Sequence, residues 1–497
     1  MSAINALRDP TPAEPGARVL PLRRGPMVAV LPEGDLERIR AATLQVLEGT
    51  GVAIGSGALL PRLTSAGVDL DGETGRVRFP ASLVEDALRH APRELLLAAR
   101  DPACDLRVDG TAGWLSPGGR APTAVDLRSD ERRDGALADV AAASRLADAV
   151  PQIGFVGPSA AALDVAAGSR SLRELHAQVA NTTKHVQLEI SAEAASADAL
   201  VEIARAVAGG DAALRERPAV SAFLPVRSPL ALDGLEAAVA LAEAGAPCGF
   251  VAAPMAGTSA PATLAGALVS SCAEVLAGVV ALQLLVPGAP TFFGTRALEV
   301  DLGGGHGTPG GPQGPLFQMA WVQLARLVGL PAHLGAFATG SKSSDWQAGM
   351  EGGLSATASW MTGPDLLAAA GLRDGGRVFS SIAMLLDAEL FDLVRQVPLG
   401  FEVDEETLAL EVIEEVGPGE HFLGEPHTLR HMREAWTSRY MDKDSWEGWE
   451  EAGRPQPPER ARARALELLA SHEPTPLPAA VEDRIREVIA EHERDHR

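Results

Sequence analysis

The chain has 497 residues, enough for two to four domains or for one α/β barrel with extensions. Its formal net charge of −23 argues against a nucleic-acid-binding protein, because binding a phosphate backbone requires a basic surface. Hydrophobic residues make up 46% of the chain but aromatic residues only 4%, a balance that favours helices packed on strands over a β-sandwich.

The N-terminal region predicts a tail followed by a helical cap. Residues 1–31 lack the unbroken apolar core of a secretory signal, so we expect a disordered or extended tail. Residues 32–105 carry three segments with apolar residues at helical spacing. An Asp71-Gly72 pair precedes an RVRF run and predicts a small hairpin. We therefore expect an N-terminal helical cap with little functional signal.

Residues 106–400 repeat a pattern of a short apolar run, a polar or glycine-bearing loop and an alanine-rich helical segment. The runs are Gly113–Leu115, Ile153–Val156, Val186–Ile190, Ala219–Leu224, Gly249–Ala253, Thr291–Phe293, His333–Phe337 and Leu366–Ala370. They recur at roughly 30 to 40 residues, the length of a strand with its crossover helix. The pattern predicts a (β/α)8 TIM barrel, with a doubly wound open sheet as the alternative.

The most apolar segment runs from Leu264 to Val286. Glu274 lies near its middle and Pro287 follows it, so a membrane span would be costly. We predict a buried helix there and no association with a membrane.

The three cysteines predict a reducing compartment. They are Cys104, Cys248 and Cys272. They cannot form a disulfide framework, and their spacing matches no metal motif. We interpret them as buried small residues and expect a cytoplasmic protein.

Residues 401–497 predict a C-terminal helical extension, because amphipathic helical patterns there alternate with prolines. His427 and His431 fall four residues apart on a predicted helix, and His421 precedes them. That spacing suits a metal on one helical face, but no third well-placed ligand is evident, and we expect no metal site.

A glycine-rich loop follows the sixth predicted strand. It reads GGGHGTPGGPQGP from Gly303 to Pro315. Glycine tolerates positive φ and has no Cβ, so this composition argues against regular structure and lets the backbone approach a ligand. The loop lacks the GxxxxGK[ST] pattern of a phosphate cradle. Gly304, Gly305 and His306 are its candidate cofactor-binding residues.

The seventh predicted strand is followed by a polar loop, Ala338 to Gln347. Ligands of barrel proteins gather beyond the carboxyl ends of the strands, so this loop is a candidate site. The loop candidates are Thr339, Lys342, Asp345, Trp346 and Gln347. With Glu189, which lies at the end of the third predicted strand, Lys342 and Asp345 are the candidate catalytic residues. For the two carboxylates, a helix cap or a surface ion pair is the alternative.

Aromatic residues lie at or beside the predicted strand ends, where general acids and bases are few. Together with Thr339 and Gln347, the candidate substrate-binding residues are Trp114, Phe155, Phe223, Phe337 and Trp346. An aromatic cavity with few acids suits a quaternary ammonium ion, which each ring face attracts by about 0.5 to 2 kcal/mol. Core packing is the alternative for each ring.

Three long segments resemble the trimethylamine:corrinoid methyltransferase family. They are Ala253–Gly294, Gln323–Gly352 and Gly417–Trp449, the last of which contains GPGEHFLGEPHTLRHMREAW. The short segments GVAI, RVRFP and NTTKH also match. The resemblance implies a (β/α)8 barrel that hands a methyl group from a methylamine to the cobalt of a corrinoid on a separate small protein.

Archaeal trimethylamine enzymes of this family carry pyrrolysine in the barrel mouth, whereas this chain has only ordinary residues. It therefore looks like the branch without pyrrolysine, which demethylates glycine betaine or related quaternary amines. By the same resemblance, we expect the replacement for pyrrolysine in the Ala338–Gln347 loop. The chain has no DxHxxG segment of a corrinoid-binding domain, so cobalamin should arrive on a partner and no cofactor should bind tightly.

Two other functions fit the same residues. One is a metal-dependent barrel hydrolase or lyase that uses Glu189, Asp345 and a metal near the histidines. The other is a non-catalytic protein that binds quaternary amines. For the methyltransferase we expect a quaternary amine as substrate, a corrinoid protein as partner and a homo-oligomer.

Overall fold

The computed structural model has a barrel of eight parallel strands at its centre. The described residues are 18–24, 27–190, 197–296, 300–301, 306–307, 309–337, 339–432 and 436–495. The barrel strands, β1 to β8 in chain order, are Ala112–Pro117, Phe155–Val156, His185–Glu189, Val220–Pro225, Cys248–Ala252, Phe293–Thr295, Ala332–Gly335 and Leu366–Ala370.

The strands form a closed ring. β2 to β8 pair in chain order, and β8 pairs with β1. A parallel bridge between Leu115 and Ile153 closes the ring, and the Gly154 N–H donates to the Leu115 carbonyl at 2.7 Å. The (β/α)8 prediction is confirmed, and the open-sheet alternative is wrong because an open sheet would leave two edges unpaired. The sixth strand begins at Phe293, two residues later than the predicted start at Thr291.

Helices surround the ring and extend beyond it. The helices α1 to α9 are Glu33–Gln45, Leu60–Ser65, Ala81–His90, Leu137–Ala149, Ala167–Ala180, Ala197–Ala208, Asp211–Glu216, Leu235–Ala244 and Leu264–Leu285. The helices α10 to α18 are Gln313–Val328, Trp346–Thr362, Ser381–Gln396, Glu405–Leu408, Leu410–Val416, Pro426–His431, Trp446–Glu451, Pro457–Ser471 and Ala479–Asp495. Helices α4, α5, α6, α8, α9, α10, α11 and α12 follow β1 to β8 in turn.

Alternation along each strand separates inward from outward side chains. In β3, Val186 and Leu188 belong to the apolar cluster that the strands share with the outer helices. Gln187 and Glu189 therefore face the barrel interior, because neighbouring side chains of a strand point to opposite sides. Phe223 of β4 also points inward and belongs to a separate inner apolar cluster.

A hairpin closes the N-terminal end of the barrel. Leu95–Leu97 pairs antiparallel with Leu106–Val108, and its leucines pack in the inner cluster with Trp114. His185 Nδ1 lies 2.7 Å from the Ala98 carbonyl and donates to it, which ties the hairpin to the first residue of β3. Since this end is filled by side chains, the C-terminal end is where a ligand would enter.

The N-terminal cap contains a small sheet. Asp69–Leu70 pairs antiparallel with Arg76–Arg78, which confirms the predicted hairpin at Asp71. Val52–Ile54 pairs with Arg76–Arg78 on one side and with Ala231–Leu232, beyond β4, on the other. This sheet attaches the cap to the barrel.

Residues 18–24 take the extended rather than the disordered form of the predicted tail. Leu22–Arg23 pairs antiparallel with Ala112–Gly113 of β1, and Leu20 and Leu22 are buried. Burial of two leucines offsets much of the conformational entropy lost on ordering the segment. Residues 1–17 lie outside the described residues.

Among the described residues, α9 is the helix with the length and apolarity of a membrane span. It has 22 residues, and 78% of its most apolar window is buried in the protein. Glu274 accepts hydrogen bonds from Ser228 Oγ at 2.6 Å and from the Leu230 N–H at 2.9 Å, and burial raises the pKa of its carboxyl. The predicted buried helix is confirmed.

The last two helices pack on the outer layer of the barrel. α17 contacts α12 and α4, and α18 contacts α6 and α5. Ile485 and Ile489 of α18 are buried in these contacts. By contrast, no residue between 401 and 432 is buried. The extension therefore combines docked helices with one exposed segment.

Candidate active site at the barrel mouth

Glu189 and Arg296 form an ion pair at the C-terminal end of the barrel. Glu189 is the last residue of β3, and Arg296 directly follows β6. Arg296 Nη2 lies 3.2 Å from Glu189 Oε2, and both side chains are mostly buried. The guanidinium carbon lies 5.2 Å from the centre of the Phe223 ring, within the range of cation–π attraction. Gly335 of β7 leaves the space for Arg296, because a Cβ there would lie 2.7 Å from Arg296 Cγ.

His333 of β7 packs inside the barrel against two aromatic rings. Its ring centre lies 5.3 Å from that of Phe292 and 6.1 Å from that of Phe223. Burial, helped by the positive charge of Arg296, lowers the pKa of His333 to about 3. The imidazole is therefore neutral near pH 7.

Two buried polar side chains in the barrel lack hydrogen-bond partners within the described part of the chain. Both ring nitrogens of His333 and the Nε2 atom of Gln187 have none, although each residue is only 1% exposed. Such an atom costs about 1–3 kcal/mol when it stays unpaired, and a water or a ligand can supply the missing hydrogen bond. Gln187 and Glu189 share the inward side of β3. The unpaired Nε2 atom of Gln187 therefore lies on the same inner face of the barrel as the ion pair.

Two buried histidines are expected to make the protein acid-sensitive. Burial lowers the pKa of His185 to about 4 and that of His333 to about 3, whereas an unfolded histidine titrates near 6.5. The stability that the neutral forms contribute is present above pH 6.5 and is lost as the pH falls toward the folded values. Between pH 7 and pH 5 each histidine should cost about 2 kcal/mol of unfolding free energy.

The measurement is urea unfolding at both pH values. His333→Phe should remove its share of the pH dependence, whereas the same change at exposed His90 should leave it intact. An unchanged pH dependence in His333→Phe would contradict the assignment.

Glu351 of α11 holds the polar loop that follows β7. The Thr339 hydroxyl and the Gly340 N–H donate to Glu351 Oε2, the latter at 2.8 Å. Gln347 Nε2 donates to Glu351 Oε1 at 2.8 Å. A Cβ at Gly310 would lie 2.2 Å from Glu351 Cδ, so a side chain there would displace the carboxyl from this position. Thr339 and Gln347 are predicted ligand contacts, but in this structure their side chains hydrogen-bond to Glu351.

Glu351→Ala should loosen this loop, because the Thr339 hydroxyl and Gln347 Nε2 lose their acceptor and the Gly340 N–H keeps only the Pro309 carbonyl at 3.0 Å. Hydrogen exchange of the loop amides should become faster, and stability should fall by about 1–3 kcal/mol. Hydrogen exchange of residues 339–347 provides the measurement. Glu351→Gln is the matched control, since its amide oxygen keeps one acceptor; equal exchange in Glu351→Ala and the parent would refute the anchor role.

The other loop candidates lie on its solvent side. Asp345 is the N-cap of α11: its carboxylate accepts from the Ala348 N–H at 3.0 Å, and that hydrogen bond lowers its pKa. This is the helix-cap alternative for Asp345. Lys342 Nζ donates to the Gly340 carbonyl at 2.7 Å, and its side chain is 75% exposed. Trp346 is 82% exposed.

The structure does not bring the five predicted aromatic residues together at the mouth. Phe223 lies beneath Arg296. Trp114 lies in the middle of β1, and its Nε1 donates at 3.0 Å to the Arg107 carbonyl of the hairpin that closes the N-terminal end of the barrel. Phe155 packs in the same inner cluster. Phe337 packs in the outer cluster against the helices. Trp114, Phe155 and Phe223 thus share the inner cluster, whereas Phe337 does not, because strand register decides which way each ring points. Contact of these residues with a substrate stays a prediction.

The candidate cofactor loop is described only in part. Gly304 and Gly305 lie outside the described residues. The backbone of His306–Gly307 pairs antiparallel with Val300–Asp301, so the glycine-rich region contains a short strand that its composition argued against. Cofactor contact by Gly304, Gly305 and His306 stays a prediction.

A possible metal-ligand group lies in the exposed segment, far along the chain from the barrel strands. Among the described residues, Glu406, His427 and His431 have ligand atoms within 4.8 Å of one another. Glu406 is the third ligand that the sequence did not reveal. However, Arg430 donates to Glu406 Oε1 at 2.7 Å, and a guanidinium in contact with the carboxylate opposes a second cation.

The sequence pattern assigned no role to Arg296, His333, Gln187 or Glu351. A signal was present for the strand residues: a polar side chain between two apolar neighbours of a barrel strand points inward. Glu351 gave a weaker signal, because a spacing of four from Gln347 also describes an ordinary surface pair.

Known proteins align with the chain over nearly its whole length. A family model described as trimethylamine methyltransferase (MTTB) matches residues 6–496. The trimethylamine methyltransferase MttB of Desulfitobacterium hafniense strain DSM 10664 / DCB-2 is 32% identical over 464 residues, covering 93% of each chain. A glycine betaine methyltransferase of Desulfitobacterium hafniense strain Y51 is 31% identical over 471 residues, covering 94% of this chain and 97% of the relative. The trimethylamine methyltransferase MttB of Methanosarcina barkeri strain Fusaro is 29% identical over 460 residues, covering 90% and 92%.

Proposed function

The chain belongs to the trimethylamine methyltransferase family, and from this premise we propose that it moves a methyl group from a quaternary ammonium compound to the cobalt(I) of a corrinoid on a separate protein. The substrate class that fits the mouth best is a betaine, which carries both a quaternary ammonium and a carboxylate. Glycine betaine, named for one relative, is the simplest such compound.

The ion pair of Glu189 and Arg296 carries this proposal. A zwitterion can exchange with both partners at once, since its ammonium matches Glu189 and its carboxylate matches Arg296. The Phe223 ring already has a cation 5.2 Å from its centre, and the same face can hold a ligand ammonium when Arg296 turns to the carboxylate. An amine without an acidic group would leave the guanidinium unmatched.

The reaction requires the substrate methyl group to be aligned with the corrinoid and does not require proton transfer. A quaternary nitrogen departs as a neutral tertiary amine, so no proton moves as the N–CH3 bond breaks. The corrinoid supplies a nucleophilic metal that accepts the methyl group. The protein must orient the ammonium and exclude water, which positions one methyl group toward the barrel opening. The neutral His333 and the amide of Gln187 provide polar contacts that need not titrate.

Methyl transfer tests the function directly. The purified protein is incubated anaerobically with glycine betaine and cob(I)alamin, and methylcobalamin is followed by its absorbance. We expect methylcobalamin and one equivalent of dimethylglycine. Binding of betaine by calorimetry without transfer, with free cobalamin and with a corrinoid protein, would favour a non-catalytic amine-binding protein instead.

The metal-dependent hydrolase is not favoured. Among the residues that the structure describes, the group that could hold its metal is Glu406, His427 and His431, which lies on an exposed segment outside the barrel. We place the protein in the cytoplasm, which the three free, buried cysteines support.

A further inference from the structure

Two buried hydrogen-bond donors lie one layer below the ion pair on the inner wall of the barrel. Gln187 is two residues before Glu189 on β3, which places it about 7 Å further toward the N-terminal end of the barrel. His333 is two residues before Gly335 on β7, and Arg296 occupies the space that a side chain of Gly335 would take. Alternate strands of a TIM barrel contribute the side chains of one layer. Gln187 and His333 therefore share the layer beneath the ion pair.

The next polar side chain down the same strand is fully paired. His185 Nδ1 lies 2.7 Å from the Ala98 carbonyl, and its Nε2 lies 2.7 Å from Ser221 Oγ. In the layer above it, Gln187 Nε2 and both ring nitrogens of His333 have no partner within the described residues. The fold thus satisfies the histidine that secures the barrel floor and leaves the next layer open to a ligand that enters from the mouth.

These unpaired atoms match one end of a betaine. An amide nitrogen carries two N–H donors, and a neutral imidazole carries one donor and one acceptor. A quaternary ammonium cannot accept a hydrogen bond, whereas a carboxylate accepts several. The Phe223 ring centre lies 6.1 Å from that of His333 and 5.2 Å from the guanidinium carbon of Arg296, so an aromatic face for the ammonium adjoins this layer.

Resting on the proposed function, we propose that Gln187 and His333 bind the carboxylate of the betaine together with Arg296 and thereby fix the orientation of the substrate. The carboxylate points down into the barrel, the ammonium lies beside Phe223 and Glu189, and a methyl group faces the opening. A betaine in the reverse orientation would leave both donors unpaired. It would also turn its carboxylate, instead of a methyl group, toward the corrinoid.

An orienting role predicts different effects on two substrates. Glycine betaine carries methyl groups at one end, whereas tetramethylammonium presents a methyl group in every orientation. Gln187→Leu and His333→Phe should each raise the KM for glycine betaine about tenfold, the loss of one hydrogen bond to a charged group, and should also lower its kcat. Both constants for tetramethylammonium should stay as in the parent. A merely structural role would impair both substrates alike.

Calorimetric binding without a corrinoid tests which end of the substrate these side chains contact. The ligands are glycine betaine, tetramethylammonium and tert-butylacetate, the all-carbon analogue of glycine betaine that keeps its carboxylate. Gln187→Leu and His333→Phe should each bind glycine betaine and tert-butylacetate about tenfold more weakly and tetramethylammonium like the parent. Ser271→Ala is the control, because it removes an equally buried, unpaired hydroxyl from the outer helix α9, and it should bind all three like the parent.

Folding is followed by urea unfolding of the unliganded proteins. Gln187→Leu should unfold no earlier than the parent, because leucine removes an unpaired amide from a buried site. Gln187→Glu keeps the side-chain size and provides a second variant: its added carboxylate should weaken tert-butylacetate and not tetramethylammonium.

Three outcomes would overturn the assignment. Parent-like affinity for glycine betaine in both Gln187→Leu and His333→Phe would show that neither side chain contacts the carboxylate. An equal loss of all three ligands would make both residues structural. A parent protein that binds glycine betaine but fails these comparisons leaves the proposed function standing, whereas a parent that binds no quaternary amine overturns both.

Discussion

Arg296→Met is expected to raise the KM for glycine betaine by about 10- to 100-fold. A hydrogen bond to a charged group contributes about 1.5–3 kcal/mol, and each 1.4 kcal/mol is a factor of ten. The same variant leaves Glu189 without its present partner at 3.2 Å, so a quaternary amine that lacks a carboxylate should bind as well as before or better. Choline and tetramethylammonium are suitable comparison compounds. The predicted result is therefore a change of preference rather than a general loss of binding.

Glu189→Gln provides the matched comparison. It removes the negative charge at nearly constant size, so the KM should rise for glycine betaine and for choline alike. Calorimetric binding of both ligands, measured beside methyl transfer, separates loss of recognition from loss of chemistry. If Arg296→Met weakened choline and glycine betaine equally, Arg296 would be a structural residue and the betaine assignment would be wrong.

Lys184→Met is expected to destabilise the fold by about 3–5 kcal/mol. Lys184 is 1% exposed, and its ammonium donates to the carbonyls of Ala147, Val150 and Ile153 at 2.8, 2.8 and 2.6 Å. Burial lowers its pKa to about 8. Methionine has similar length but no donor, so the carbonyls of Ala147 and Val150 at the end of α4, and that of Ile153 before β2, would lose their buried partner.

Urea unfolding at pH 7 measures this effect. Lys342→Met is the control, since its ammonium is on an exposed side chain and stability should change by less than about 0.5 kcal/mol. A midpoint for Lys184→Met within error of the parent would show that the three bonds contribute nothing net.

The position of Lys184 explains why the NTTKH segment stands out. Asp148 accepts from the hydroxyls of Thr182 and Thr183, each at 2.9 Å, at the start of β3. His185 Nδ1 contacts the Ala98 carbonyl next to the hairpin that closes the N-terminal end of the barrel, and its Nε2 lies 2.7 Å from Ser221 Oγ. The segment therefore secures the N-terminal end of the barrel, opposite the candidate site. A distinctive motif here reflects stability rather than catalysis.

The sequence by itself determined the alternation of eight strands with helices, because it depends on local periodicity and on the spacing between repeats. Closure into a ring was decided by the tertiary structure, through the bridge between Leu115 and Ile153. It also located the apolar helix α9 correctly, since one acidic residue in an apolar run is a local feature. The prediction that Asp345 caps a helix is also local, because its carboxylate accepts from the N–H of Ala348, three residues further along.

Only the tertiary structure decided which side chains meet at the mouth. Glu189 and Arg296 are 107 residues apart and become partners through the order of the strands in the ring. Phe292 and Arg296 lie an even number of residues apart across β6, and both point inward. Phe337 follows the end of β7 with a left-handed φ of 64°, and its ring points outward. Direction within a barrel depends on register between strands, and no segment carries that information alone.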